Sequence, residues 1–144
     1  MPKIFGHSLL AIILATIIFY MVGFAIYGFL FSEQWMTYAG MTEAQATARN
    51  EVLGPMMFVW GLFITLAQVL GIAVFLKKAN VNSLGKGLIK GAMLATLFAL
   101  PVMTYNWLYQ GSSANLLGLD YMHLLIGYGL TGAVLGFFRS KDAN

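Results

Sequence analysis

Residues 9–31, LLAIILATIIFYMVGFAIYGFLF, carry no charged side chain. Wound as a helix at about 1.5 Å per residue they extend about 34 Å, enough to cross a bilayer core about 30 Å thick. Lys3 precedes the run, and Thr37-Tyr38-Ala39 loosely resembles a cleavage site, which together suggest a secretory leader. The apolar run is too long for the core of a signal peptide, however, and reads as a retained first transmembrane helix.

The same pattern recurs three times downstream, over residues 53–76, 91–108 and 121–138, each again free of charge apart from what flanks it. The runs are continuous and lack the apolar/polar alternation of a membrane barrel, so strands are a poor alternative. Composition agrees: of 144 residues 60% are hydrophobic and only 9% charged, whereas soluble domains hold about 25% charged residues. The expected fold class is all-α, an integral membrane bundle of four transmembrane helices forming one domain over residues 1–144. The net charge of +3 is no sign of nucleic acid, because the basic residues flank apolar spans and form no stripe for tracking phosphates. Cysteine is absent, which excludes disulfides, thiol nucleophiles and cysteine metal sites.

Charges between the spans set an orientation. The first loop holds Glu33, Glu43, Arg49 and Glu51; the second holds Lys77, Lys78, Lys86 and Lys90; the third ends at Asp120. With Lys3 ahead of the first helix and Arg139 and Lys141 behind the fourth, every basic residue except Arg49 falls on one side of a four-pass chain. The positive-inside rule then puts both termini in the cytoplasm of a bacterial inner membrane. Trp35, Tyr38, Trp107, Tyr109 and Tyr121 gather at the outer ends, where amphipathic rings prefer the headgroup region. In the first loop Thr42 precedes Glu43-Ala44-Gln45-Ala46-Thr47-Ala48-Arg49, a string of helix formers behind an N-cap, which predicts a short amphipathic outer helix.

Small residues mark the expected helix contacts. Gly129, Gly132 and Gly136 fall within about 60° on a helical wheel, and Gly91, Ala95 and Ala99 form a matching stripe on the third span. Such stripes serve packing within one chain or an interface between copies. Pro101, inside the third span, removes a backbone donor and is expected to kink the helix and free a carbonyl near Leu97. Gln68, deep in the second span, most simply bonds to a neighbouring helix. Gly85-Lys86-Gly87 lacks the spacing of a phosphate loop and reads as the end of a turn before the third span.

The uncommon polar side chains converge on the outer half: Arg49 and Glu51 before the second span, Asn106 near the end of the third, Asp120 and His123 on one face at the start of the fourth. One reading makes them a binding or proton-handling cluster, because polar groups at membrane depth are costly and face a partner or a cavity. The other makes them structural, Asp120 as a helix-start acid and Asn106 as a partner for Asp120 or for backbone disturbed by Pro101. His7 and His123 are predicted at opposite ends, so they cannot share a metal, and no cofactor is implied. The nine methionines are scattered over all the spans as adaptable packing residues. No nucleophile elbow and no Ser-x-x-Lys arrangement is present.

Gly23-Phe24-Ala25-Ile26-Tyr27-Gly28-Phe29-Leu30-Phe31 with Trp35, then Asn106, then Leu119-Asp120, then Gly132-Ala133-Val134-Leu135-Gly136 resemble, in order and spacing, the signature of a family of small bacterial four-helix membrane proteins, domain of unknown function seventeen-sixty-one. The chain departs from it in two places: Ile26 stands where an aromatic usually precedes the tyrosine, and Tyr121-Met122-His123 stands where the family favours Gly-Tyr. The resemblance implies a multi-pass membrane protein without an assigned activity. Three functional readings follow. The first is a non-enzymatic packing or interaction module in contact with membrane lipid, as a homo-oligomer or an accessory subunit of a larger complex. The second is a small transporter or channel with Asn106, Asp120 and His123 lining an outer vestibule. The third is a membrane enzyme acting on a lipid or quinone, with His123 as base and Asp120 orienting it.

Overall fold

The structure, a computed structural model, describes residues 2–141, with side chains as far as Arg139; the side chain of Lys141 and the ends of the 1–144 span lie outside the described residues. The chain opens on a small antiparallel hairpin, β1 (Lys3–Ile4) and β2 (His7–Ser8). Its two-residue turn has positive φ at both Phe5 (51°) and Gly6 (81°), the geometry that matches strand twist in the tightest hairpins. The Ser8 side chain then accepts from the Ala11 N–H and starts the first long helix.

Six helices follow: α1 (Leu9–Leu30), α2 (Ser32–Tyr38), α3 (Glu43–Leu53), α4 (Met56–Lys78), α5 (Leu84–Gln110) and α6 (Ala114–Lys141). Four of them, α1, α4, α5 and α6, are long and apolar enough to cross a membrane. The integral four-helix bundle therefore holds, and the short helix expected in the first loop is present as α3. Thr42 caps α3 through a reciprocal pair, its hydroxyl taking the Gln45 N–H while the Gln45 side chain takes the Thr42 N–H. α2 was not foreseen: Phe31 leaves helical geometry (φ −131°) and lets a second helix begin at once.

Two spans contain π-helical stretches, in which each N–H reaches five residues back and the helix widens. Phe24–Leu30 of α1 is one, closed by Phe31 N–H to Ile26 O at 2.9 Å. Ala95–Ala99 of α5 is the other, ending where the Leu100 N–H bonds to Ala95 O. This second stretch lies one turn ahead of Pro101, where the sequence leads one to expect disturbed backbone. The proline sits in the first turn of a fresh α-helical segment, where a missing N–H is tolerated, and the disturbance takes the form of a wide turn upstream.

In lipid there is no hydrophobic drive between helices, so close backbone contact has to hold them. α5 and α6 achieve it. A Cβ placed on Gly87 would collide with the carbonyl of Gly132, one on Gly91 with that of Tyr128, one on Gly132 with that of Gly87, and one on Gly136 with that of Ser83. Gly91, Gly132 and Gly136 of the expected stripes thus meet within one chain, while a Cβ on Gly129 would stand 3.3 Å from the Leu88 side chain, tighter than ordinary contact. Ala95 is fully buried and Ala99 only partly. Gly87 is a correction, since it lies inside α5 at the crossing and not in a turn; α5 begins at Leu84, capped by Ser83. The core proper joins Ile12, Ala15 and Phe19 of α1 to Val69, Ile72, Ala73 and Leu76 of α4 and Leu135 of α6. At the same end Arg139 donates to Leu76 O and Lys77 O, and the His7 ring pairs with Ala73 O at 3.2 Å.

Candidate functional site: a wedge between α1 and α4

α1 and α4 are packed tightly at the end that carries the hairpin and separate toward the other. The widened turn of α1 and the bend into α2 open a cavity of about 690 Å³ between them. Its walls are Phe19, Tyr20, Gly23, Phe24 and Tyr27 of α1 and Met57, Phe58, Gly61, Ile64, Thr65 and Gln68 of α4. Trp35 and Met36 of α2 and Ala46, Arg49 and Asn50 of α3 roof it, and His123 of α6 closes the back. Phe24, Phe58 and Ile64 are each more than half exposed, so the wedge opens sideways.

Glycines make the room. A Cβ on Gly23 would stand 3.0 Å from His123 Nε2, so the bare backbone lets the imidazole reach α1. On α4, Gly61 does the same for the Tyr20 ring, 3.3 Å from where its Cβ would be. Tyr20 donates to Phe58 O at 3.1 Å, tying the two walls together. Tyr27, in the π-helical stretch, donates its hydroxyl to Asp120 Oδ1 at 2.7 Å. His123 lies edge-on to Tyr27 with centroids 5.0 Å apart and tilted against Phe19 at 5.4 Å.

Polar groups sit deep in this wedge. Gln68 lies about 18 Å along α4 from its start at Met56, near the middle of the span. Among the described residues neither Gln68 nor the His123 ring has a hydrogen-bond partner, which corrects the expected bond from Gln68 to a neighbouring helix. At the rim, Arg49 is the one charged side chain of the lining. No group of three or more acids and histidines is placed to hold a metal among the described residues, and His7 and His123 stand at different ends of the bundle.

Of the five residues expected to cluster, the structure brings Arg49 and His123 to one cavity and places Asp120 behind it through Tyr27. Glu51 is exposed on α3 and Asn106 is exposed on α5, its side chain without a hydrogen bond among the described residues. Asn106 is therefore partner neither to Asp120 nor, through its side chain, to backbone near Pro101; beside the proline it is Thr104 that bonds the backbone, donating to Leu100 O at 2.8 Å. Sequence reasoning missed Tyr20, Tyr27 and Trp35 as lining groups, although Tyr27 stands in the aromatic run that carries the family resemblance.

The model of a protein family of unknown function, DUF1761, matches residues 10–136. The chain belongs to that family. Every residue lining the wedge falls inside the matched region of this DUF1761 protein. Within it, the Tyr27 to Asp120 bond joins the two segments on which the resemblance rests. Neither a curated protein nor a solved structure matches the chain.

Proposed function

We propose that this DUF1761 protein is a non-enzymatic membrane binding protein that holds a small, mainly apolar molecule in the wedge between α1 and α4. The observation that carries the reading is the cavity itself, with His123 and Gln68 left without partners at its depth. A volume of about 690 Å³ lies within the range of about 300 to 1,000 Å³ typical of small-molecule sites. Polar groups at membrane depth without a protein partner are costly, so a ligand that hydrogen-bonds Gln68 or His123 is favoured there. The apolar body then rests on Phe19, Phe24, Met57 and Phe58, and the sideways opening admits it from lipid. The glycine stripes, which serve either packing within one chain or an interface between copies, are engaged between α5 and α6 of one chain, so they lend no support to a self-associating module.

The test compares what co-purifies in mild detergent with the wild-type protein and with Gly61→Phe, whose ring fills the space beside Tyr20. Mass spectrometry of the released small molecules is expected to find a species stoichiometric with the wild type and missing from a folded Gly61→Phe. Equal recovery of the same species from both proteins would sink the proposal.

A further inference from the structure

We infer that the molecule held in the wedge is an anionic amphiphile, an oxyanion head on an apolar chain, with Arg49 of α3 taking the head at the rim. The inference rests on the binding reading above and adds the chemical class of the ligand. Arg49, Asn50 and Ala46 share one face of α3 and line the cavity, whereas Glu51, two residues on from Arg49, points about 160° away around the helix. The acids of α3, Glu43 and Glu51, are both absent from the lining, as is Glu33 of α2. Of the charged side chains of α3, Arg49 is the one in the lining.

The cation is also free to act. Among the described residues the Arg49 guanidinium makes no ion pair and no hydrogen bond, and the side-chain bonds of α3 are confined to its own cap. A guanidinium offers a planar fork of donors that fits a carboxylate or a phosphate through paired bonds. A cationic head finds no acid in the lining, and a neutral head can bond to Asn50 but gains no charge-assisted bond from Arg49. Below the head, the aromatic and methionine walls suit an alkyl chain, and the opening past Phe24, Phe58 and Ile64 lets the chain enter from the bilayer with its head at the interface.

The test uses one bromoalkyl chain carried by three heads: a carboxylate, a phosphate monoester and an alcohol. The chain contains three tryptophans, and Trp35 lines the cavity; replacing Trp60 and Trp107 by Phe leaves Trp35 as the reporter. Quenching of Trp35 is followed in neutral detergent, with concentrations expressed per detergent. The expected result is saturable quenching by all three, with the two anions bound about tenfold tighter than the alcohol, the scale of one charge-assisted hydrogen bond. Arg49→Gln should bring the anions down to the level of the alcohol, while Glu51→Gln, on the opposite face, should keep the preference. Equal binding of anion and alcohol by the parent protein, or an anion preference that survives Arg49→Gln, overturns the inference and leaves the binding site standing. If none of the three quenches saturably, the binding reading itself falls. A carboxylate bound more tightly than the phosphate identifies a free fatty acid as the source of the chemistry, and the reverse order a phosphate-bearing lipid; either upholds the anion.

Discussion

Tyr27 holds Asp120 through a hydroxyl bond of 2.7 Å between α1 and α6, a short polar link behind the wedge. Interhelical hydrogen bonds in membrane proteins contribute about 0.6 kcal/mol on average and about 1.7 at most by double-mutant cycles; a short bond to a carboxyl belongs near the upper figure. Tyr27→Phe is expected to lower the stability of the purified protein by about 1 to 2 kcal/mol, with a double-mutant cycle against Asp120→Leu showing coupling of similar size. Asn106→Leu should change stability by less than about 0.5 kcal/mol, as for other exposed sites, and should add independently to Asp120→Leu. Chemical denaturation in detergent of the wild type, the three single variants and the two double variants measures both couplings; coupling of Asp120 to Asn106 and not to Tyr27 would contradict the geometry. The short turn at Gly111-Ser112-Ser113 makes Asn106 the natural partner in sequence, since it keeps the two segments adjacent. Adjacency is not orientation: the rotation of α5 is set by its glycine contacts with α6, and that rotation turns Asn106 outward.

Among the elements, the crossing of α5 over α6 is one that a single methyl group can break. Backbone carbonyls occupy the positions that Cβ atoms would need at Gly87, Gly91, Gly132 and Gly136, and backbone cannot move aside as a side-chain end can. Gly132→Ala is expected to cost about 3 kcal/mol, the upper part of the range for overpacking, and Gly132→Leu to prevent folding. Gly71→Ala is the control, because a Cβ there meets nothing within 4 Å and alanine favours helix over glycine; its thermal unfolding temperature in detergent should equal or exceed that of the wild type. A wild-type unfolding temperature for Gly132→Ala would show that the crossing is looser than the structure has it. Where helices begin is legible only in part. Uncharged runs stop at Lys90 and at Asp120, yet α5 continues back to Leu84 and α6 to Ala114, because Ser83 and Ser113 offer their hydroxyls to the first free N–H groups. A cap ends a helix; a charge need not.

The whole molecule has two unlike ends. The hairpin, the Lys77 to Lys90 region and Arg139 lie together at one, joined by the His7 and Arg139 contacts to the end of α4, and α2 and α3 roof the other. Basic residues within about 15 to 20 residues of the spans govern insertion, so the basic end is expected in the cytoplasm and the roof outside. A C-terminal fluorescent-protein fusion should glow and a C-terminal alkaline phosphatase fusion stay inactive; an active phosphatase with a dark fluorescent protein would reverse the orientation and place the wedge's rim inside the cell.

Charge-free length, turn positions and the cap at Thr42 are local properties, and from them the sequence by itself determined that the chain forms four membrane-long helices with a short helix ahead of the second. It also singled out Arg49, Asp120, His123 and Gln68 as side chains that need an explanation in lipid. Which of them share a site was decided only by the tertiary structure. In water an amphipathic stripe tells which face of a helix turns inward, but here lipid and protein interior are both apolar, the membrane-long stretches are hydrophobic on most sides, and the rotation of each helix is largely unwritten in the apolar pattern. Glycine contacts between α5 and α6 and the widened turn of α1 set those rotations, and they put His123, Gln68 and Arg49 around one cavity, Asp120 behind Tyr27, and Asn106 on the outside.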